Sequence, residues 1–375
     1  MSLTATPVSA AGNGANDLGL GKTLSLTGDT LQYDTLNNEL NHLYNSKNNT
    51  IKVLHISFHR GCENDIEYIC NIFGFNLSFM AFDDGTKGKY NIGKERAQRY
   101  WDKHKDYFNS FDIIITSDTA PISRVFLQNN FQKKLIIWIC NRIDYYDAAS
   151  LDCKFPDNEY YHLINSAKNN VNVSIIGYTA FENYYCTLKH LNVGNNVIKP
   201  IGKVSTTYTL LQETNIEHKK EQFFVPYYHN DTIMINLKDK LLELGIPAYS
   251  GKYNGPLDLK GYKGIIHIPY AWSNLALFEN LQNNLIYFIP SQKFLIELKK
   301  DKDFFWSPPY IENKLYMSEW YCEELTNIIV YFDNWDDLIN KINTIDYINQ
   351  KNMILNFCKI HTENELKKWQ ELLNI

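Results

Sequence analysis

From residue 51 onward, short unbroken apolar runs alternate with stretches in which apolar residues recur every three or four positions. The runs have the length of buried strands, and the stretches have the period of amphipathic helices. Strands are predicted at 52–58, 76–82, 111–116, 134–140 and 171–176. Helices are predicted at 63–73, 94–108, 122–128, 158–168 and 180–188, the first of them ended by Gly74. A polar stretch follows Lys199-Pro-Ile-Gly202, and then the alternation restarts. Strands at 223–227, near Ala248 and at 327–332 accompany helices at 232–244, 293–299, 336–342 and 350–373. Residues 263–291 form a unit of their own: an apolar run, a Pro-Tyr loop, a helical stretch and a second apolar run, a βαβ unit. Strands alternating with helices in two successive blocks predict an α/β chain with two doubly wound parallel sheets.

Residues 1–24 are small and polar and read as a flexible tail, with strand-like alternation at 23–27 and a helical stretch at 36–43. The expected organisation is an extension over 1–50, one domain over 51–205 and a second over 206–375. The chain has 375 residues, 44% of them hydrophobic and 14% aromatic, which suffices for two packed cores. Its 37 basic and 42 acidic residues leave a net charge of −5, so nucleic acid is not an expected partner. Seven cysteines at scattered spacings, with no C-x-x-C, fit buried thiols in a reducing compartment. The first residues lack the charged start and apolar core of a signal peptide, and no apolar run reaches the length of a membrane span. A cytoplasmic setting is expected.

Ligands of open α/β sheets gather at the carboxyl ends of the strands, which places Tyr270, Ser273 and Asn274 at such an edge. Ser273 and Asn274 begin a helix, where free backbone amides and the helix dipole favour a diphosphate. Glu279 lies six residues beyond Ser273, about 9 Å along the axis at a rise of 1.5 Å per residue. This stretch resembles the donor-binding segment of GT-B glycosyltransferases. The resemblance implies two tandem Rossmann-like domains closed by a C-terminal helix. It also implies that Glu279 accepts hydrogen bonds from a donor ribose. Many retaining members carry a further acid eight positions earlier; here that position is Ala271. Lys252, in Tyr-Ser-Gly-Lys-Tyr-Asn-Gly-Pro, is a candidate to neutralise a leaving diphosphate. Trp306, Ser318, Glu319 and Trp320 are candidate sugar contacts, because sugars pack apolar faces on aromatic rings and bond their hydroxyls to acids.

Three loops after strands of the first block supply candidate catalytic groups. They carry His59 and Arg60, Asp118, and Arg142 with Asp144. His59, Asp118 or Asp144 could deprotonate an acceptor hydroxyl, with Arg60 and Arg142 as acceptor contacts. For Asp118 the competing reading is a helix N-cap; for Asp144 it is an ion pair with Arg142.

The reading is therefore a glycosyltransferase that uses a nucleotide diphosphate sugar as co-substrate and a glycan, protein or small-molecule hydroxyl as acceptor. No bound cofactor or metal is expected. A sugar-nucleotide epimerase of the same architecture and a catalytically silent binding protein are the alternatives. Asp17 to Thr23 looks like a phosphate loop, but Asn16 stands where its first glycine belongs. Asp301-Lys-Asp303 lies in a charge run, and Phe82-Asp83-Asp84 follows a strand; both are weak metal candidates.

Overall fold

The computed structural model describes residues 51–82, 92–145, 155–203, 221–227, 235–302 and 312–375. The extension over 1–50, the phosphate-loop look-alike within it, Trp306, Asp83, Asp84 and Asp303 lie outside the described residues.

The first lobe contains β1 (Lys52–Ile56), α1 (Arg60–Phe73), β2 (Asn76–Met80), α2 (Lys94–Asn109) and β3 (Ile113–Thr116). A 3₁₀ turn (Ala120–Ser123) then leads into α3 (Arg124–Leu127), β4 (Lys134–Ile139), α4 (Asn158–Ala167), β5 (Val173–Gly177) and α5 (Ala180–Leu188). The second lobe contains β6 (Phe223–Pro226), α6 (Leu237–Glu243), β7 (Ala248–Gly251), β8 (Gly264–Ile266), α7 (Ala276–Gln282), β9 (Tyr287–Pro290) and α8 (Gln292–Lys302). Three 3₁₀ turns between Glu312 and Leu325 precede β10 (Val330–Phe332), α9 (Trp335–Thr344) and α10 (Tyr347–Leu373).

Both sheets are wholly parallel, ordered β2-β1-β3-β4-β5 and β7-β6-β8-β9-β10. The same winding thus occurs twice, giving the two tandem Rossmann-like lobes that the alternation predicts. Strands such as Ile113–Thr116 are buried on both faces, as parallel strands covered by helices must be. In each sheet the winding reverses between the first and third strands. The loops after β1 and β3, and those after β6 and β8, therefore flank a crevice suited to ligands.

Some boundaries move for local reasons. α1 starts at Arg60 because His59 caps it: His59 Nδ1 accepts from the Gly61 amide at 3.1 Å. α6 starts at Leu237, where the Asn236 side chain caps it; positions 232–234 of the expected helix lie outside the described residues. α10 starts at Tyr347, where Asp346 accepts from the Ile348 and Asn349 amides. The predicted helix at 122–128 is split between a 3₁₀ turn and one α-helical turn.

The lobes meet along the chain segment 198–203. Trp138 Nε1 donates to the Ile198 carbonyl at 2.9 Å, and the Lys199 amide donates to Glu365 at 2.9 Å. His361 Nε2 lies 2.9 Å from the Pro200 carbonyl, Gln282 donates to the Ile201 carbonyl at 2.9 Å, and the Gly202 amide donates to Asp65 at 2.7 Å. α10 then crosses back to the first lobe, where Leu366 and Trp369 join a core containing Trp138 and Tyr178. Among the described residues no helix is long and apolar enough to cross a membrane.

Gly202 has φ +78°, and a Cβ there would lie 2.3 Å from the Phe278 carbonyl carbon and 2.6 Å from the Glu279 nitrogen. Gly202→Ala is expected to lower stability by about 3 kcal/mol, from left-handed strain plus overpacking against a helix backbone. Urea unfolding followed by circular dichroism checks this; a midpoint within error of the parent's would contradict it.

Candidate functional site

The site lies at the lobe junction. The loop after β8 runs over the start of α1, and a Cβ at Gly61 would come within 3.3 Å of Leu275 Cβ. Trp272 in the same loop stacks on Phe181 of α5, ring centres 3.5 Å apart. Glu279, in the first turn of α7, points at the other lobe: Asn64 Nδ2 of α1 donates to its Oε1 at 3.3 Å. Burial raises the Glu279 carboxyl above its usual range, while Asn64 and the charge of Arg60 pull it back down.

Three tyrosines from successive strand ends share this locality: Tyr227 after β6, Tyr253 after β7 and Tyr270 after β8. The Tyr253 phenol is pushed up to about 12, chiefly by burial, and the charges of Glu279, Tyr270 and Tyr227 add to the shift. The carboxyl edge of the second sheet therefore offers aromatic faces around one partly buried acid, a combination suited to a planar or polyhydroxylated ligand.

The turn before α7 differs from the sequence expectation. The Asn274 amide donates to Glu319 Oε1, and the Ala276 amide donates to Asn274 Oδ1 at 3.0 Å. Two of the amides proposed for a diphosphate are thus already satisfied, and the helix they open is only seven residues long. Glu319 is buried, and burial drives its carboxyl well above the usual range against the pull of the Asn274 amide, Lys199 and Tyr178. Its Oε2 and the Tyr178 hydroxyl of the first lobe are both buried.

Ser318 and Trp320 turn out to be packing residues. Ser318 Oγ donates to the Leu315 carbonyl at 2.7 Å, and Trp320 Nε1 donates to the Ala271 carbonyl at 3.0 Å. The Trp320 ring lies 4.5 Å from His267 and is 1% exposed, so it offers no face to a sugar. Together with the Glu319 amide, which donates to the Trp272 carbonyl at 3.0 Å, these residues clamp the loop after β8. Lys252 is exposed and forms no ion pair with another described residue.

On the acceptor side, burial lowers His59 to about 4, which keeps the ring neutral. Because Nδ1 accepts from Gly61, the proton sits on Nε2, and in this geometry His59 is a donor rather than a base. Arg60 is exposed and pairs with Glu63 at 3.1 Å. Asp118 is buried at φ 67° and accepts from Asn141 Nδ2 at 3.1 Å, so its side chain ties two strand-end loops together rather than capping a helix. Such a conformation costs a non-glycine residue energy, and strained residues of this kind gather at functional sites. Asp144 pairs with Lys189 at 3.3 Å and accepts from the Tyr161 hydroxyl at 2.7 Å; Arg142 lies over the Tyr145 ring instead.

Sequence reasoning missed two acids that the structure brings into view. Asp65 lies one residue beyond Asn64 on α1; burial raises it to about 7, with help from Glu279 and Glu365. Glu182 on α5 is raised to about 8 by burial, opposed by Arg142. Glu182 beside Phe181 offered a weak signal, an acid next to a large apolar residue; Asp65, among Glu63, Asn64 and Glu67, offered none. Tyr227 and Tyr253 were not singled out either, although the strand-end rule points to their loops.

No protein-family model and no curated protein matches the chain. Solved structures are matched at low identity. One is a calicheamicin glycosyltransferase, 6% identical over 87% of this chain and 98% of that one, with TM-score 0.40. A UDP-glucosyltransferase from Polygonum tinctorium is 9% identical over 86% and 98%, with TM-score 0.43. A putative UDP-N-acetylglucosamine 2-epimerase from Listeria monocytogenes is 10% identical over 83% and 91%, with TM-score 0.40.

Asp65 carries a pH signature. Its folded value of about 7 lies above its ordinary value of 3.8, so the stability it contributes is full below pH 3.8 and is lost as pH rises through 7. Asp65→Asn keeps an acceptor for the Gly202 amide and removes that loss. The gap in stability between parent and variant should change by up to about 1.4 kcal/mol per pH unit between pH 4 and 7, in the variant's favour, and level off above. Melting temperatures across that range provide the check; parallel curves would contradict the assignment.

Proposed function

We propose that this protein transfers a sugar from a nucleotide diphosphate sugar to a hydroxyl acceptor held between its lobes. One observation carries the reading: Glu279 stands at the carboxyl edge of the second sheet, beside three strand-end tyrosines, and faces α1 of the other lobe. A carboxylate there is placed to accept hydrogen bonds from ribose hydroxyls, and the tyrosines to flank a base or sugar ring. The diphosphate falls toward Tyr270, Ser273 and Asn274, with Lys252 and Arg60 as the candidate sources of positive charge. For the Asn274 amide to take part, Glu319 must release it. Asp118 and Asp144 are the candidate bases for the acceptor hydroxyl, and His59 serves as a hydrogen-bond donor. Neither a bound metal nor an organic cofactor enters this mechanism, and activity is expected to survive a chelator.

A binding protein without turnover is the second reading. The observation in its favour is the Glu319 carboxyl on the Asn274 amide, which fills part of the anion position from within the chain.

A thermal-shift screen with UDP, GDP and their sugars tests the nucleotide site. A ligand at 100 times its Kd stabilises by about 2.7 kcal/mol, and Glu279→Ala should abolish most of the response. Product analysis then separates the readings: a transferase releases nucleoside diphosphate only with an acceptor present, an epimerase converts donor without one, and a silent protein does neither. The absence of any shift with every nucleotide would refute the proposal.

A further inference from the structure

Asn64 is a buried side chain of the first lobe, 8% exposed, whose amide is only half satisfied. Its Nδ2 donates to Glu279 Oε1 across the junction at 3.3 Å, while its Oδ1 is buried with no partner. A buried acceptor left unpaired costs about 1–3 kcal/mol, so an orphan at this position calls for a function. Oδ1 and Nδ2 belong to one planar amide, so the orphan acceptor is carried by the same group that reaches Glu279. Glu279 makes no other side-chain hydrogen bond with a described residue, so its second oxygen is open to a ligand. Each lobe thus contributes an acceptor at the junction, Asn64 Oδ1 from α1 and the Glu279 carboxylate from α7. A pair of acceptors matches a pair of hydroxyl donors, and a ribose presents two hydroxyls on neighbouring carbons.

We infer that Asn64 is a positioning and specificity-determining residue of the nucleotide site, its Oδ1 accepting one hydroxyl of a vicinal diol while Glu279 accepts the other. The inference rests on the nucleotide-sugar reading and adds to it a contribution from the acceptor lobe. Asn64 has two roles in this arrangement. Its donor end orients the Glu279 carboxylate, and its acceptor end reads the second hydroxyl. The diol then bridges α1 and α7, so ligand binding and lobe closure are one event. A deoxyribose leaves one of the two acceptors unpaired, and a site built to bond a hydroxyl rejects an analogue lacking it.

The test uses the full chain and isothermal titration with UDP and GDP, each beside its 2′-deoxy and 3′-deoxy forms. The parent should bind the ribonucleotide at least tenfold more tightly than one of the deoxy forms. Asn64→Ala should weaken ribonucleotide binding about tenfold while changing deoxynucleotide binding less than threefold, so that the preference collapses. Asn64→Asp keeps the accepting oxygen and should hold the preference at acid pH. It should lose that preference as pH rises and two carboxylates oppose each other. A far-ultraviolet spectrum and melting curve confirm that each variant is folded. A preference unchanged in Asn64→Ala overturns the inference and leaves the nucleotide site standing if Glu279→Ala still abolishes binding. A parent chain that binds neither UDP nor GDP overturns both.

Discussion

The contact on which the rest of the molecule depends is the crossing of the 198–203 segment over the backbone of α7. At Gly202 the chain comes so close to Phe278 and Glu279 that no side chain fits, and φ is positive. The amides and carbonyls of the segment are taken by Asp65 of α1, Gln282 of α7, Glu365 and His361 of α10, and Trp138 of β4. The five groups come from four elements, two in each lobe, so the crossing fixes how the two sheets face each other. α10 secures the arrangement by carrying Leu366 and Trp369 back into the first core.

That crossing also explains the electrostatics of the site. Pinning a segment by its backbone requires acceptors, and Asp65 and Glu365 supply them at the cost of burying carboxylates near Glu279. Burial and mutual repulsion then raise Asp65 and burial raises Glu279, which leaves both poised closer to neutrality than surface acids would be. Functional sites gather perturbed groups of this kind, but here a structural need and the proposed ligand chemistry draw on the same helix faces. Asn64 and Asp65 are neighbours on α1: one reaches Glu279 and the other reaches Gly202.

The two-sheet architecture was legible in the sequence because parallel strands are continuous apolar runs separated by helices of regular period. Glu279 was legible as well: it is the single acid between the two apolar runs of one βαβ unit. The amide-rich turn before it was misread, because the group that occupies Asn274 is Glu319, 45 residues away, and no local pattern encodes that contact. Sequence distance likewise hid the role of Trp320, whose partner is the Ala271 carbonyl in the loop after β8, whereas Ser318 bonds within its own turn. Asp118 reads as a helix cap in sequence, yet its left-handed backbone turns the side chain toward Asn141. Asn64 and Asp65 were missed because they look like ordinary polar positions of an amphipathic helix until the second lobe is laid against them.

The central claim is that Glu279 and the strand-end tyrosines form a nucleotide pocket between the lobes. A crystal structure of the protein soaked with UDP or GDP tests it most directly. The account predicts ribose density within hydrogen-bond reach of Glu279, with the base or sugar ring against Tyr227, Tyr253 or Tyr270. Nucleotide density elsewhere on the molecule, with Glu279 still bonded only to Asn64, would contradict it.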